Sequence, residues 1–403
     1  MRKTPRNILI VFGTRPEAIK MAPVIQVLRS SPDLFQVAVA VTAQHREMLD
    51  QVLDLFGITP DFDLDIMQEG QTLFEVTTRA LTGLEKVLKE VRPDIVLVHG
   101  DTTTTFAAAL AAFYRRIPVG HVEAGLRTGD KYAPYPEEMN RHLAGVLADI
   151  HFAPTARARA ALLREGVDPE SIYVTGNTVI DALHQVVRPD YTFREPVIAQ
   201  AVNSGRRLIL VTTHRRENWG EPLVNAYKAL KRTIVNHPDM AMVFPVHKNP
   251  LVRQAAAEIL GKCPRVYLTE PLSYVEFANL MAKSFIVVTD SGGLQEEAPA
   301  LGKPVLVLRD VTERPEAVEA GTVLIVGTDE ERIFAGVERL LKNAAFYKRM
   351  ATAVNPYGDG RAAARIKSGL LHYLGEGPRP AEFHPESSDG NKGFEGQPSK
   401  EKF

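Results

Sequence analysis

Four carboxylates in the first half of the chain stand where a reaction could use them. Asp101 follows the apolar run Ile95 to His99 and opens a helical pattern from Thr102 to Tyr114, so helix capping and proton transfer are both open to it. Glu123 ends the run Val119 to Val122 and leads into Ala124-Gly125-Leu126-Arg127-Thr128-Gly129-Asp130, where no capping role is evident. Glu137 and Glu138 follow Pro136, a good first helical residue, and suit a helix start by charge; Arg141 stands at i+4 from Glu137. Carboxylates gathered at strand ends can form an acid/base group, because proximity and burial push their pKa values apart. A metal is the competing use. No His or Cys stands at zinc spacing and no EF-hand loop is present, so the expectation is acid/base work with no metal.

The second half offers an anion site. The turn Asp290-Ser291-Gly292-Gly293 follows the buried-type run Phe285 to Thr289, with Ser291 as a helix N-cap and a glycine pair that admits a phosphate close to the backbone. An ordinary strand-to-helix turn can carry the same residues. Glu296 and Glu297, in the first turn beyond, either complement the helix dipole or accept the two hydroxyls of a ribose. Arg15, Lys20, Arg215, Arg216 and Arg314 fall near loops of the same kind, and a phosphate clamp uses such guanidinium forks. His214, at a strand end before two arginines, suits donation to a phosphate oxygen or proton movement as well as simple backbone anchoring.

Elements that could position these groups alternate along the chain. In the first half strands are expected at Asn7 to Phe12, Gln36 to Val41, Ile95 to His99, Val119 to Val122, Ile150 to Ala153 and Ile172 to Val174. A second series falls at Leu208 to Thr213, Ala241 to Pro245, Val266 to Leu268, Phe285 to Thr289, Val305 to Leu308 and Val323 to Ile325. Helical patterns between them give an α/β fold of two doubly wound, Rossmann-like domains, 1–185 and 207–355, joined by a linker, 186–206. The halves start alike: Phe12-Gly13-Thr14-Arg15-Pro16-Glu17 and Thr212-Thr213-His214-Arg215-Arg216-Glu217 each follow a strand and precede a helix. Ligands bind beyond the carboxyl ends of such strands, so two facing edges make one shared cleft. A last helix, 361–374, precedes a polar end, 375–403, expected to be disordered.

The balance of 48 basic against 49 acidic side chains in 403 residues gives no field that would draw nucleic acid or a membrane surface. The apolar run Phe106 to Tyr114 is far short of a bilayer span, and Ile8 to Phe12 is too short for a secretory signal, so a cytoplasmic protein is expected. One cysteine, Cys263, excludes internal disulfides.

Taken together, these segments resemble the non-hydrolysing bacterial UDP-N-acetylglucosamine 2-epimerases. The likeness is carried by Phe12 to Pro23, by His99-Gly100-Asp101-Thr102-Thr103-Thr104, by Gly120 to Thr128 and by Pro136-Glu137-Glu138. It continues through Gly176-Asn177-Thr178-Val179-Ile180-Asp181, Thr213 to Asn218, Asp290 to Glu297 and Glu313-Arg314-Pro315-Glu316, in matching order from about Asn7 to Leu374. The resemblance implies the GT-B-like arrangement, with the final helix crossing back to the first domain and no cofactor. It implies conversion of UDP-N-acetylglucosamine to UDP-N-acetylmannosamine by loss and re-addition of UDP, serving surface polysaccharide synthesis, in a homodimer. Asp101, Glu123 and Glu137 then match catalytic carboxylates, and His214 a histidine that contacts UDP and assists catalysis. UDP contacts fall on Arg15, Lys20, Phe277, Ser291, Gly292, Gly293, Glu297 and Arg314, with Leu272 near the uracil where some members have glutamine. Gln44, Gln71, Glu138, Arg216 and His247 match a site for a second UDP-N-acetylglucosamine that acts as allosteric activator.

Overall fold

The computed structural model describes residues 4–43, 46–68 and 70–385. Strands β1 (Arg6–Phe12), β2 (Phe35–Val41), β3 (Phe62–Asp63), β4 (Ile95–His99), β5 (Val119–Val122), β6 (Ile150–Ala153) and β7 (Ile172–Val174) form one parallel sheet in the order β3-β2-β1-β4-β5-β6-β7. A second parallel sheet contains β8 (Arg207–Thr212), β9 (Met240–Pro245), β10 (Val266–Thr269), β11 (Ile286–Thr289), β12 (Val305–Val307) and β13 (Val323–Ile325), in the order β10-β9-β8-β11-β12-β13. Runs such as Ile8-Leu9-Ile10 and Ile286-Val287-Val288 are buried without alternation, as strands covered by helices on both faces require. Every strand expected from the sequence is present, displaced by at most one residue at an end. The addition is β3, whose two residues are too short to show a period.

Both sheets reverse winding direction, one between β1 and β4 and the other between β8 and β11. A crevice opens at the carboxyl end of each such switch point. The loops there carry Arg15 and Asp101 in the first sheet, and His214 and the turn from Asp290 in the second. One apolar cluster runs through both halves, including Phe12, Ile25, Leu183, Leu210 and Met281, and so holds the two edges in a common body. Among the described residues no helix is long and apolar enough to cross a membrane.

Three local expectations change. The stretch 186–206 contains a helix, Pro196–Asn203, which packs on β9 and β10 and buries Ile198 and Ala201. After β8 the chain forms a 3-10 turn, Arg216–Asn218, and the helix begins only at Glu221, unlike the helix that starts at Arg15 after β1. Residues 375–385 are not a free end. Arg379 donates to the carbonyls of Pro169, Glu170 and Ile172, and the buried Phe383 donates its N–H to Val174 O at 2.8 Å, covering the edge of β7. Polar composition concealed this, because two side chains suffice to fasten the strap to an unpaired strand edge. Residues 386–403 lie outside the described residues.

The last helix, Ala362–Tyr373, packs on helices Arg15–Arg29 and Thr178–Val186 and buries Ile366 and Leu370. Asp181 accepts from the N–H groups of Ala362 and Ala363 at 3.1 and 2.9 Å, supplying the cap that the helix lacks locally. Asp181→Ala should therefore lower unfolding stability by about 1 to 3 kcal/mol, measured by urea denaturation, since two buried donors lose their acceptor.

Candidate active site

Glu123 leaves β5 with φ +63°, a left-handed conformation that costs a non-glycine residue about 1 to 2 kcal/mol. The turn continues through Gly125 at φ +90°, where a Cβ would stand 2.3 Å from the Ala158 carbonyl oxygen, so only glycine fits. The carboxylate aimed inward accepts from Lys20 Nζ and from Asn177 Nδ2, the latter at 2.7 Å. Burial opposes its charge, but Lys20, His99 and Arg314 together outweigh burial and hold the Glu123 carboxyl well below the usual range. Burial likewise works against the Lys20 ammonium, and Glu123 and Glu296 more than offset it. His99 Nε2 lies 3.7 Å from the other Glu123 oxygen. Burial pushes this histidine down to about 4, leaving a neutral ring at pH 7.

Asp101 is not the helix cap. That place belongs to Thr102, whose hydroxyl accepts from Thr105 N at 3.2 Å. The Asp101 carboxylate pairs with Arg141, yet burial, reinforced by the nearby Glu123 charge, raises its pKa against that pull. Arg141 thus grips Asp101 and lies 3.2 Å from Glu138 Oε2; it does not pair with Glu137 as the i+4 spacing suggested. Glu137 is half-buried at the start of helix Glu137–Leu147, and its carboxylate makes no hydrogen bond or ion pair among the described residues. Asp101 and Glu123 are therefore brought within electrostatic reach of each other, and Glu137 has no such contact. Glu138 is fully buried and accepts from Thr128 N and Gly129 N at 3.0 and 3.1 Å, fastening the loop that follows Glu123.

Across the cleft, the fully buried Asp290 organises the facing edge. It accepts from the backbone N–H groups of His214 and Arg215, at 2.9 and 3.0 Å, and its other oxygen lies 2.9 Å from His214 Nδ1. The carboxylate, not backbone, orients the His214 ring, and leaves Nε2 to face outward. Burial opposes the Asp290 charge, but the bonds from His214 and Arg215 lower its pKa. Ser291 is not the N-cap of the next helix, Leu294–Ala300. Gly293 is, in helical conformation and with no side-chain cap. The nearest neighbours of a Cβ added at Gly292 or Gly293 would be 3.8 and 4.0 Å away, so internal packing demands glycine at neither position. Their N–H groups have no partner among the described residues.

The two glutamates that follow have different surroundings. Glu296 is buried, ion-paired with Arg314, and accepts from Asn177 Nδ2 at 2.7 Å. Burial opposes the Arg314 charge, and Glu296 and Glu123 restore it. Glu297 has no such bond; burial, with the Glu296 charge beside it, pushes its carboxyl up to about 8. Burial shifts Arg15, at the start of its helix, downward against the pull of Glu297 and Tyr274. A pocket of about 220 Å³ joins Arg15 to His214, His247, Leu272, Tyr274 and Phe277. Alongside it a groove of about 1220 Å³ separates the halves, walled by Arg15, Gln26, Arg188, Tyr191, Leu272 and Tyr274.

The remaining candidates lie at the rim. Arg216 and His247 are exposed, with the His247 ring 6.3 Å from that of His214. Gln71 lies in a loop where its side chain accepts from Gln68 N at 3.2 Å. Gln44 lies outside the described residues. Sequence reading placed Asp290 in the anion turn and Asn177 in a family segment but gave neither side chain a role of its own, although both follow strands as the other candidates do. Among the described residues no cluster of His, Cys, Asp or Glu has the makings of a metal site.

The UDP-N-acetylglucosamine 2-epimerase family model matches residues 27–371. The UDP-N-acetylglucosamine 2-epimerase of Bacillus subtilis is 57% identical over 369 residues, 92% of this chain and 96% of that protein. The enzyme of the same name from Escherichia coli K12 is 56% identical over 370 residues, 90% of this chain and 98% of its own. The solved structure of UDP-GlcNAc 2-epimerase from Neisseria meningitidis, bound to UDP-GlcNAc, is 50% identical and superimposes with a TM-score of 0.83, covering 91% of this chain and all of that one. With two doubly wound sheets facing across a charged cleft and this likeness along nearly its whole length, the chain belongs to the UDP-N-acetylglucosamine 2-epimerase family of isomerases.

Proposed function

We propose that the protein interconverts UDP-N-acetylglucosamine and UDP-N-acetylmannosamine by elimination and re-addition of UDP, without net hydrolysis. The observation that carries this is the pair Glu123 and Asp101. One carboxyl is held ionised by buried cations, and the other is biased toward its protonated form by burial and by the first. A base and a proton donor with separated pKa values are what exchange of the C2 proton between two faces requires. The C2 proton passes to a carboxylate as the C1–O bond to UDP breaks, leaving a glycal. UDP then re-forms that bond while a proton returns to the opposite face of C2. Glu137 joins this group by its place one turn from Arg141.

The departing diphosphate must be stabilised and retained. Gly292 and Gly293 offer N–H groups and Ser291 its hydroxyl, with Arg15, Lys20 and Arg314 as cations and His214, oriented by Asp290, beside the phosphates. Glu297, whose carboxyl makes no hydrogen bond among the described residues, suits the ribose hydroxyls, and the pocket at Leu272 and Phe277 suits the uracil, with backbone groups reading it. Exposed His247 and Arg216, with Gln44, Gln71 and Glu138, are proposed to hold a second UDP-N-acetylglucosamine as activator. The product would feed surface polysaccharide synthesis. A homodimer is proposed through the helix Glu137–Leu147, whose exposed Met139, Leu143 and Val146 form one stripe beside exposed Phe113 and Tyr114.

Incubation in heavy water, followed by NMR, should yield UDP-N-acetylmannosamine and deuterium at C2 of the recovered sugar nucleotides; free N-acetylmannosamine as main product would falsify the non-hydrolysing assignment. Glu123→Gln is expected to lower kcat by roughly 100- to 10,000-fold with UDP binding retained in calorimetry. Glu297 has a folded-state pKa near 8, above the ~4.3 of an unfolded glutamate, so it stabilises below that lower value and loses the benefit as pH rises toward 8. Ligand-free Glu297→Gln should thus gain on the order of 1 to 3 kcal/mol over the parent on going from pH 5 to pH 9, read by denaturant unfolding, and should bind UDP more weakly. Val146→Glu should shift sedimentation from dimer to monomer.

A further inference from the structure

Asn177 occupies the point where the two halves of the site meet. It follows β7 in the first sheet, is buried, and donates from one Nδ2 to two carboxylates, Glu123 Oε1 and Glu296 Oε2, each at 2.7 Å. Those carboxylates come from different sheets: Glu123 leaves β5, and Glu296 lies in the helix after β11. Each is also paired with a cation, Glu123 with Lys20 and Glu296 with Arg314. The amide cannot be turned over. Its Oδ1 accepts from Val179 N at 3.1 Å, capping helix Thr178–Val186, and a flip would set that oxygen against two carboxylates. The backbone fixes the residue as well, since Asn177 N donates to Tyr357 O at 2.6 Å, and Glu296 is held in turn by Asn355 Nδ2, which donates to its carbonyl at 2.9 Å.

Two buried carboxylates repel unless donors stand between them, and an amide NH₂ is the neutral group with two hydrogens to share. We propose that Asn177 is a positioning residue that orients Glu123 through its bridge to Glu296, so that the base is aligned only while the second half of the site is docked beside it. The inference rests on the reading of Glu123 as a base in epimerisation. It adds a reason why proton abstraction should wait for the half that carries the diphosphate turn: the bond to Glu296 forms only with both halves in place. Removing the donor leaves the carboxylate paired with Lys20 but free to swing.

Asn177→Asp keeps the cap and the shape but replaces the donor with an acceptor; Asn177→Ser keeps a cap and is too short to reach either carboxylate. At pH 8 both variants are expected to lose at least about 30-fold in kcat, with KM and UDP affinity close to the parent and a lowered melting temperature, since two buried carboxylates lose a donor. The variants separate with pH. Protonation of the introduced carboxylate restores one donor, so the activity of Asn177→Asp relative to the parent should rise at least about 5-fold between pH 8 and pH 6, whereas that of Asn177→Ser stays flat. Either variant within 3-fold of the parent kcat at pH 8 overturns the proposal, as does a deficit matched by an equal loss of UDP affinity. Should Asn177→Asp fail to fold, the kcat against KM split of Asn177→Ser decides alone. A fully active Glu123→Gln would remove the base on which the proposal rests, while an inactive Glu123→Gln beside an unaffected Asn177→Ser would sink the bridge only.

Discussion

Lys20, Glu123, Arg314 and Glu296 are all largely withdrawn from water within one site, and none of them could be held there alone. Desolvating an isolated ammonium or carboxylate costs several kcal/mol, and attraction returns that only when partners meet at hydrogen-bond distance with their remaining valences filled. The four therefore meet as two ion pairs, tied by the two hydrogens of Asn177. Lys20 comes from the helix after β1, Glu123 from the end of β5, Asn177 from the end of β7, and Glu296 and Arg314 from the second half. Satisfying the charges and assembling the cleft are consequently the same event.

What the pairing leaves unmatched is informative about chemistry. Glu297 stands one residue from a fully matched glutamate, and its carboxyl is pushed up to about 8 by burial and by that neighbour. His99 is buried, neither of its ring nitrogens makes a hydrogen bond among the described residues, and it stays neutral beside Glu123. Both stand beside the pairs, His99 3.7 Å from Glu123 and Glu297 next in the chain to Glu296. The strained φ of Glu123 belongs to the same pattern, because the left-handed turn is what aims the carboxylate at Lys20 and Asn177. Such strain persists where surrounding contacts over-determine it, and here two donors and a glycine that admits no side chain do so.

Asp290 shows how one buried carboxylate can organise a whole loop edge. It gathers the backbone after β8 and the His214 ring onto the turn after β11, so the switch point of the second sheet is closed by a side chain and not by loop packing. The glycine pair beyond it is free of steric demand from the protein, so packing by itself does not account for glycine there.

The sequence by itself determined the elements and the chemical inventory. Short β-branched runs bounded by turn residues and alternating with helical patterns read as strands covered on both faces, so β1 to β13 apart from β3 were legible to within a residue. The carboxylates and cations at their ends followed from position alone, and the family from the order of the motifs. Tertiary structure decided who pairs with whom. Arg141 could have taken Glu137 by helical spacing, yet it grips Asp101 and lies beside the buried Glu138, partners that only the packing of β4 and its loop against this helix brings within reach. The cap on helix Ala362–Tyr373 comes from Asp181, and Arg379 of the strap fastens to the Ile172 carbonyl, 207 residues earlier in the chain. Glu296 and Glu297 are identical letters side by side. Only burial on one face and Arg314 on the other made the first a structural ion and left the second open to a ligand.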